Sequence, residues 1–230
     1  MVPCRGELKE GGEMPATVQQ LLYSAEAMWA AWSHPYWNLI TEAQDIPHDD
    51  KDEVYAKIVR DVYCRELEGK KPSLNQIMGD GYAWSASGMS YLLRKGGLTE
   101  EEFPFQQSHH HFIRRAIAAR KENHDWAFWG YRHGESGGQP QVGDLVAYIR
   151  NDAITWKQAK LFFDVDDGYN SHTDIVVEVR PGEIDVIGAN VANSVTKKTL
   201  ALDTAGHITN TTTKTFHWFA TLRYMGGQAV

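Results

Sequence analysis

The sequence predicts an α+β fold in which helices pack against a mainly antiparallel sheet, and three observations carry that expectation. Helical apolar periodicity fills the chain up to about Lys121, alternating apolar segments follow Gly137-Gly138, and Pro181-Gly182 joins two of those segments tightly enough to pair them antiparallel. A doubly wound nucleotide fold would instead alternate strands and helices along the chain.

Residues 1–15 are expected to form a flexible lead-in, and residues 16–230 a single domain whose 16–78 part is helical. Over 16–33, Leu21, Leu22, Ala25, Met28, Trp29 and Trp32 make one apolar stripe, and His34-Pro35 stops the helix because the residue before proline is pushed out of the helical region. A second helix is expected over 50–68, capped by Asp49 or Asp50, with Val54, Ile58, Val62 and Leu67 on its apolar side. Pro72 and Ser73 open a short helical piece that Gly79, Asp80 and Gly81 break. The helix over 82–94 has a different character. Ala83, Ser85, Ala86, Ser87 and Gly88 are small enough to let another backbone or a substrate approach closely, while Met89, Leu92 and Leu93 face a core and Gly96-Gly97 ends the helix. Residues 109–121 form the last substantial helix. Strands are expected at 142–149, 172–179, 183–188 and 217–224, and the loop over 151–171, long for a compact domain, has room for a short helix.

Composition narrows the function classes. The 230 residues are 42% hydrophobic and 23% charged, an ordinary globular balance, and 30 acidic against 23 basic residues leave a net charge of −7. With no concentrated basic stripe, neither nucleic acid nor an anionic membrane is an expected partner. Eight Trp, ten Tyr and eight Phe furnish a core, and composition alone leaves open a share of them for walling a sugar or peptide cleft. Cys4 and Cys64 make neither a disulfide framework nor a zinc spacing. No stretch reaches membrane-spanning length and no apolar run over 1–20 resembles a signal peptide. The chain is therefore expected to be synthesised in the cytoplasm, with any delivery to the periplasm or secretion taking a route that reads no such signal. No cofactor is expected.

Three residues have the types that nucleophilic catalysis needs. Ser85 lies near the start of the small-residue helix, where unpaired amides and the helix field stabilise negative charge; His172 opens an apolar strand; Asn190 follows the next one. A hydroxyl nucleophile needs a base for its proton, and the imidazole needs a partner that fixes its tautomer. Taken singly, each residue has a bland competing role: the serine packs or caps a helix, the histidine is structural, and Asn190 near Gly188 is a turn residue. Ser87 is a rival nucleophile if the helix starts later, and Cys64 reads as a buried structural thiol. Asp174 shares the strand face of His172, and Asp144 stabilises the turn into its own strand. Tyr82, Trp84, Trp126 and Trp129 are candidates for one wall of a cleft, with helix-to-sheet packing an equal reading. Adjacent helical residues do not share a face, so His109, His110 and His111 are read as structural or surface groups, with a place for one of them in the cleft left open, and no metal ligand set is assigned to them or to His124, Asp125 and His133.

Four segments in order carry a family resemblance: Ala83-Trp-Ser-Ala-Ser-Gly-Met-Ser-Tyr-Leu-Leu93, Pro140-Gln-Val-Gly-Asp-Leu-Val146, Ser171-His-Thr-Asp-Ile-Val-Val177 and Val186-Ile-Gly-Ala-Asn-Val191. They resemble the catalytic core of NlpC-type and CHAP-like cell-wall hydrolases, bacterial relatives of papain, and more closely an uncharacterised bacterial domain family placed beside them. The resemblance covers about the last two-thirds of the chain, from Gly79 onward. It implies a papain-like fold with Ser85 as nucleophile, His172 as base, Asn190 orienting the ring, and Tyr82, Trp84, Trp126 and Asp174 along the substrate. The relatives usually carry cysteine where this chain has Ser85, and serine must lose its proton during attack rather than rest as an anion. The implied activity is an amidase or peptidase acting on bacterial cell-wall peptide, as a lysis enzyme or antibacterial toxin with an immunity or delivery partner. The competing readings are a non-catalytic peptide- or glycan-binding module on the same scaffold and an intracellular esterase.

Overall fold

The structure, a computed structural model, describes residues 16–67, 71–209 and 216–226; the expected lead-in and Cys4 lie outside the described residues. Thr17 and Gln20 form a capping box that starts α1 (Val18–Ala30), which ends ahead of Pro35. Asp52, rather than Asp49 or Asp50, caps α2 (Glu53–Ile58), and a π-helical turn over Val59–Tyr63 continues it. Val54, in the first turn of α2, is exposed, and past Ile58 the wider turn rotates the apolar stripe away from simple helical spacing, burying Val59 and Tyr63 and leaving Val62 exposed. Ser73 and Gln76 box the start of α3 (Leu74–Met78). The small-residue helix, α4, spans Ser85–Lys95, starting three residues later than its sequence pattern predicts, and α5 spans His109–Lys121 as predicted.

Eight strands form one sheet among the described residues: β1 (Tyr36–Asn38), β2 (Gln44–Asp45), β3 (Phe128–Arg132), β4 (Leu145–Arg150), β5 (His172–Arg180), β6 (Glu183–Val191), β7 (Ser194–Ala201) and β8 (Phe216–Tyr224). Their order is β2-β1-β7-β6-β5-β4-β8-β3, antiparallel throughout except where β1 runs parallel to β7. The tight turn at Pro181-Gly182 joins β5 to β6 as an antiparallel hairpin, as predicted. The long loop after β4 holds the short α6 (Trp156–Ala159), which runs into a 3-10 turn over Lys160–Asp164.

The two sheet faces bury different cores. Ile175, Ile187, Ala189 and Val195 face the helices, meeting Met28, Trp84, Met89 and Leu92. Val146, Tyr148, Val176, Val186, Leu200 and Trp218 belong to a second cluster on the other face, closed by Leu39 and Ile208. Period-two alternation therefore sends Thr173 toward the helices, and His172 and Asp174 to the far face.

The small residues of α4 bring it directly onto β6. A Cβ on Gly88 would lie 2.4 Å from the Ala189 Cβ and 3.1 Å from the Met28 Cε. Trp84, the residue before the helix, is fully buried, stacks on Trp32 at 5.4 Å and donates its indole N–H to Asp50 Oδ2 at 2.6 Å. Gly88→Val should destabilise the fold by about 2–3 kcal/mol, since overpacking of this kind forces neighbouring elements apart. Urea unfolding checks this, and an unchanged midpoint would show that α4 does not press on β6.

Candidate functional site

Ser85, at the first residue of α4, places its hydroxyl 2.8 Å from Nε2 of His109, at the first residue of α5. The other ring nitrogen of His109 lies 2.9 Å from Thr173 Oγ1 on β5. Ser85, His109 and Thr173 are 6%, 3% and 0% exposed, so this hydroxyl–imidazole–hydroxyl chain is shielded from bulk water. Phe112, one turn along α5, closes edge-on against the His109 ring at 5.3 Å. No side chain caps the start of α4, which leaves its first amides free to stabilise developing negative charge. Burial, then the neighbouring His172, hold the His109 imidazole well below its ordinary pKa, so it is neutral at pH 7. A neutral ring accepting from Ser85 through Nε2 carries its proton on Nδ1 and donates it to Thr173.

A second polar group lies across the sheet. The Lys198 ammonium on β7 sits 2.7 Å from Asp174 Oδ2 on β5 and donates to the Tyr148 hydroxyl at 2.8 Å, and all three residues are fully buried. Burial would raise the Asp174 carboxyl, but Lys198 and then His172 outweigh it and hold the pKa at about 2. Gly188 makes room for this carboxylate on the neighbouring strand, where a Cβ would clash with Asp174 Oδ1. His172 Nε2 lies 3.4 Å from Asp174 Oδ1 without meeting hydrogen-bond geometry. Burial lowers the His172 pKa to about 4 despite Asp174. The two polar groups meet where the His109 and His172 rings stand 5.0 Å apart at the start of β5.

The hydrogen bond expected between Ser85 and His172 is thus made by His109, because strand alternation turns Thr173 and not His172 toward α4. Asn190 lies within β6 in the left-handed region at φ 55°, and its carbonyl accepts from Arg150 Nη1 at 2.9 Å. The aromatic residues expected along a cleft pack as core. Trp84 is 0% and Trp126 6% exposed, the latter stacked on Phe103, and the Tyr82 hydroxyl pairs with Ser87 Oγ at 3.1 Å beside the Cys64 thiol. Asp174, expected along the substrate, is a fully buried residue ion-paired to Lys198. Asp144 holds its turn, as expected, by accepting from the Gln141 and Tyr224 amides and from Arg223. A cavity of about 490 Å³ lined by Arg120, Lys121, Gly130, Arg132, Glu135 and Phe163 contains none of these site residues.

His109 is the functional candidate that the sequence left among three histidines read first as structural or surface groups. The three histidines do point in different directions: His109 inward, His110 half-buried against Ser108 Oγ, and His111 outward. The available signal was position, since His109 begins an uncapped helix just as Ser85 does. Among the described residues no group of three or more His, Cys, Asp or Glu side chains is arranged to hold a metal ion, and no helix is long and apolar enough to cross a membrane.

The buried neutral His172 has a measurable consequence. Its pKa is about 6.5 unfolded and about 4 folded, so the stability it contributes is complete above pH 6.5 and is lost as pH falls through 4. Over that interval a His172→Gln protein should lose less stability than the parent, by on the order of 3 kcal/mol. Parallel slopes of unfolding free energy against pH would show that this imidazole is not held neutral.

No curated protein and no solved structure matches the chain significantly. Residues 26–224 match a family described as an uncharacterized protein conserved in bacteria, DUF2272, and so take in α4, α5 and the whole run from β3 to β8. The chain belongs to that bacterial family.

Proposed function

We propose that the protein is a serine hydrolase that cleaves an amide, with Ser85 as nucleophile and His109 as the base that receives its proton. The observation that carries this reading is the 2.8 Å contact between Ser85 Oγ and His109 Nε2 at the start of an uncapped helix. In the reaction, Oγ attacks the substrate carbonyl carbon as its proton passes to Nε2, and the free amides of α4 stabilise the oxyanion. His109 then gives the proton to the departing amine, the C–N bond breaks, and an ester to Ser85 remains. Water, deprotonated in turn by His109, releases the acid and restores the serine. Thr173 holds the ring tautomer without supplying charge, while the Asp174 carboxylate favours the charged imidazole, which burial opposes. In this scheme His172 and Asn190 act beside the base rather than as base and orienting residue.

Membership of a bacterial family, together with the four segments resembling papain-like wall hydrolases, supports a peptide amide of the bacterial cell wall as substrate. A papain-like scaffold and action in the periplasm, as a lysis enzyme or delivered toxin with an immunity or delivery partner, belong to the same proposal. The burial of Ser85 and His109 favours one competing reading, a binding module that holds a peptide without cleaving it.

Digestion of purified cell-wall peptide, followed by released amino groups, tests the chemistry. Ser85→Ala and His109→Gln should each lower turnover by about 10³-fold or more while remaining folded. Full activity in folded Ser85→Ala protein sinks the nucleophile assignment. Loss in His172→Gln with activity kept in His109→Gln would return the base to His172, and tight binding with no released amine would favour the binding module. Directed to the periplasm, the wild-type chain should arrest growth and Ser85→Ala should not; equal growth of both would remove the envelope toxin from the proposal.

A further inference from the structure

Arg150, at the end of β4, is exposed and has no carboxylate partner among the described residues, whereas Arg114, Arg120, Arg132, Arg180 and Arg223 each meet one. Its position follows from strand register. Tyr148 pairs with His172 across β4 and β5, which carries Arg150 level with Asn170, just ahead of β5. Ile175 pairs with Ile187 across β5 and β6, and the same register brings Asn190 level with His172. The Arg150 guanidinium donates to the Asn190 carbonyl at 2.9 Å. Since β5 lies between β4 and β6, with neighbouring strands about 4.8 Å apart, the side chain crosses the start of β5 to reach it.

The segment it crosses contains two buried polar atoms without a hydrogen-bond partner, Ser171 Oγ and His172 Nε2, the latter in a residue only 1% exposed. The cation also acts on the imidazoles beside it, since its charge disfavours protonation of both His109 and His172. One hydrogen bond uses one of five guanidinium donors and leaves the planar fork that suits a carboxylate.

The geometry points to Arg150 as the specificity residue that docks a carboxylate of the substrate at the start of β5. This inference rests on the reading of Ser85 and His109 as the reacting pair, and it narrows their substrate to an amide bearing a free carboxylate near the scissile bond. Docking that anion neutralises Arg150 and removes its opposition to a proton on His109, so recognition of the right substrate also improves the base.

Binding can be read apart from turnover in Ser85→Ala protein, titrated by calorimetry with N-acetyl-alanine and with its uncharged amide. The carboxylate should bind about tenfold or more tightly than the amide, and adding Arg150→Gln should erase the difference without changing the melting temperature. In the chain with Ser85 intact, Arg150→Gln should lower kcat/KM for a carboxylate-bearing peptide and not lower it for the amidated twin, for which loss of the same charge only relieves the opposition to a proton on His109. Equal binding of the two probes to Ser85→Ala protein, or a preference that survives Arg150→Gln, overturns the inference even if Ser85 proves catalytic. A preference for carboxylate that needs Arg150, in a chain that cleaves neither peptide, upholds the docking site and sinks the hydrolase.

Discussion

The close approach of α4 to β6 governs what the rest of the molecule can do. A helix normally stands off a sheet by the thickness of its side chains, but Gly88 has none, and the Ala189 methyl occupies the space a side chain there would need. This contact lowers the start of α4 toward the ends of the central strands. Trp84 locks it from the other side, stacked on Trp32 and hydrogen-bonded to Asp50, so the Ser85 hydroxyl is presented at one defined height. Gly130 plays the same part beneath α5, where a Cβ would meet the Ile117 backbone at 2.8 Å. Two helices held this near the sheet bring their first residues together over Thr173, and the hydrogen-bonded chain follows from that convergence.

Electrostatics on the far face are of a different kind. An ammonium and a carboxylate removed entirely from water cost several kcal/mol each before their attraction is counted, and such a pair is weak support for stability. Lys198 recovers part of that cost by donating to Tyr148 and lying over the rings of Tyr148 and Phe216 at 4.2 and 4.7 Å. Asp174 has a second effect, since its negative charge reaches the imidazoles at the start of β5. A buried anion close to two neutral histidines partly offsets the penalty that burial puts on charging either one.

Much of the architecture was legible because it depends on local rules. The β5–β6 hairpin follows from Pro181-Gly182 between alternating apolar residues, and α5 has the span read from the sequence. β7 was not legible, since three of the four residues it buries on the far face, Ser194, Thr196 and Lys198, are polar and only Leu200 is apolar, and polar side chains facing inward reverse the pattern that marks a strand. β1 and β2 are too short for any periodicity, and the glycine at the centre of β3, needed for the approach of Ile117, breaks its alternation.

The candidate site divides along the same line. The sequence by itself determined that a serine would lie near the start of a helix of small residues and that a histidine would open an apolar strand, since both follow from short-range composition; that the helix begins at the serine itself did not follow from it. It also determined an α+β order, with helical segments first and antiparallel strands after. Which imidazole meets the serine was decided only by tertiary structure. His172 and Thr173 are neighbours in the chain, but a strand sends consecutive side chains to opposite faces, and the face toward α4 belongs to Thr173. The partner of Ser85 therefore comes from α5, a separate helix whose distance from Ser85 depends on how closely both helices pack on the sheet, and that distance is a long-range property with no local signature in sequence.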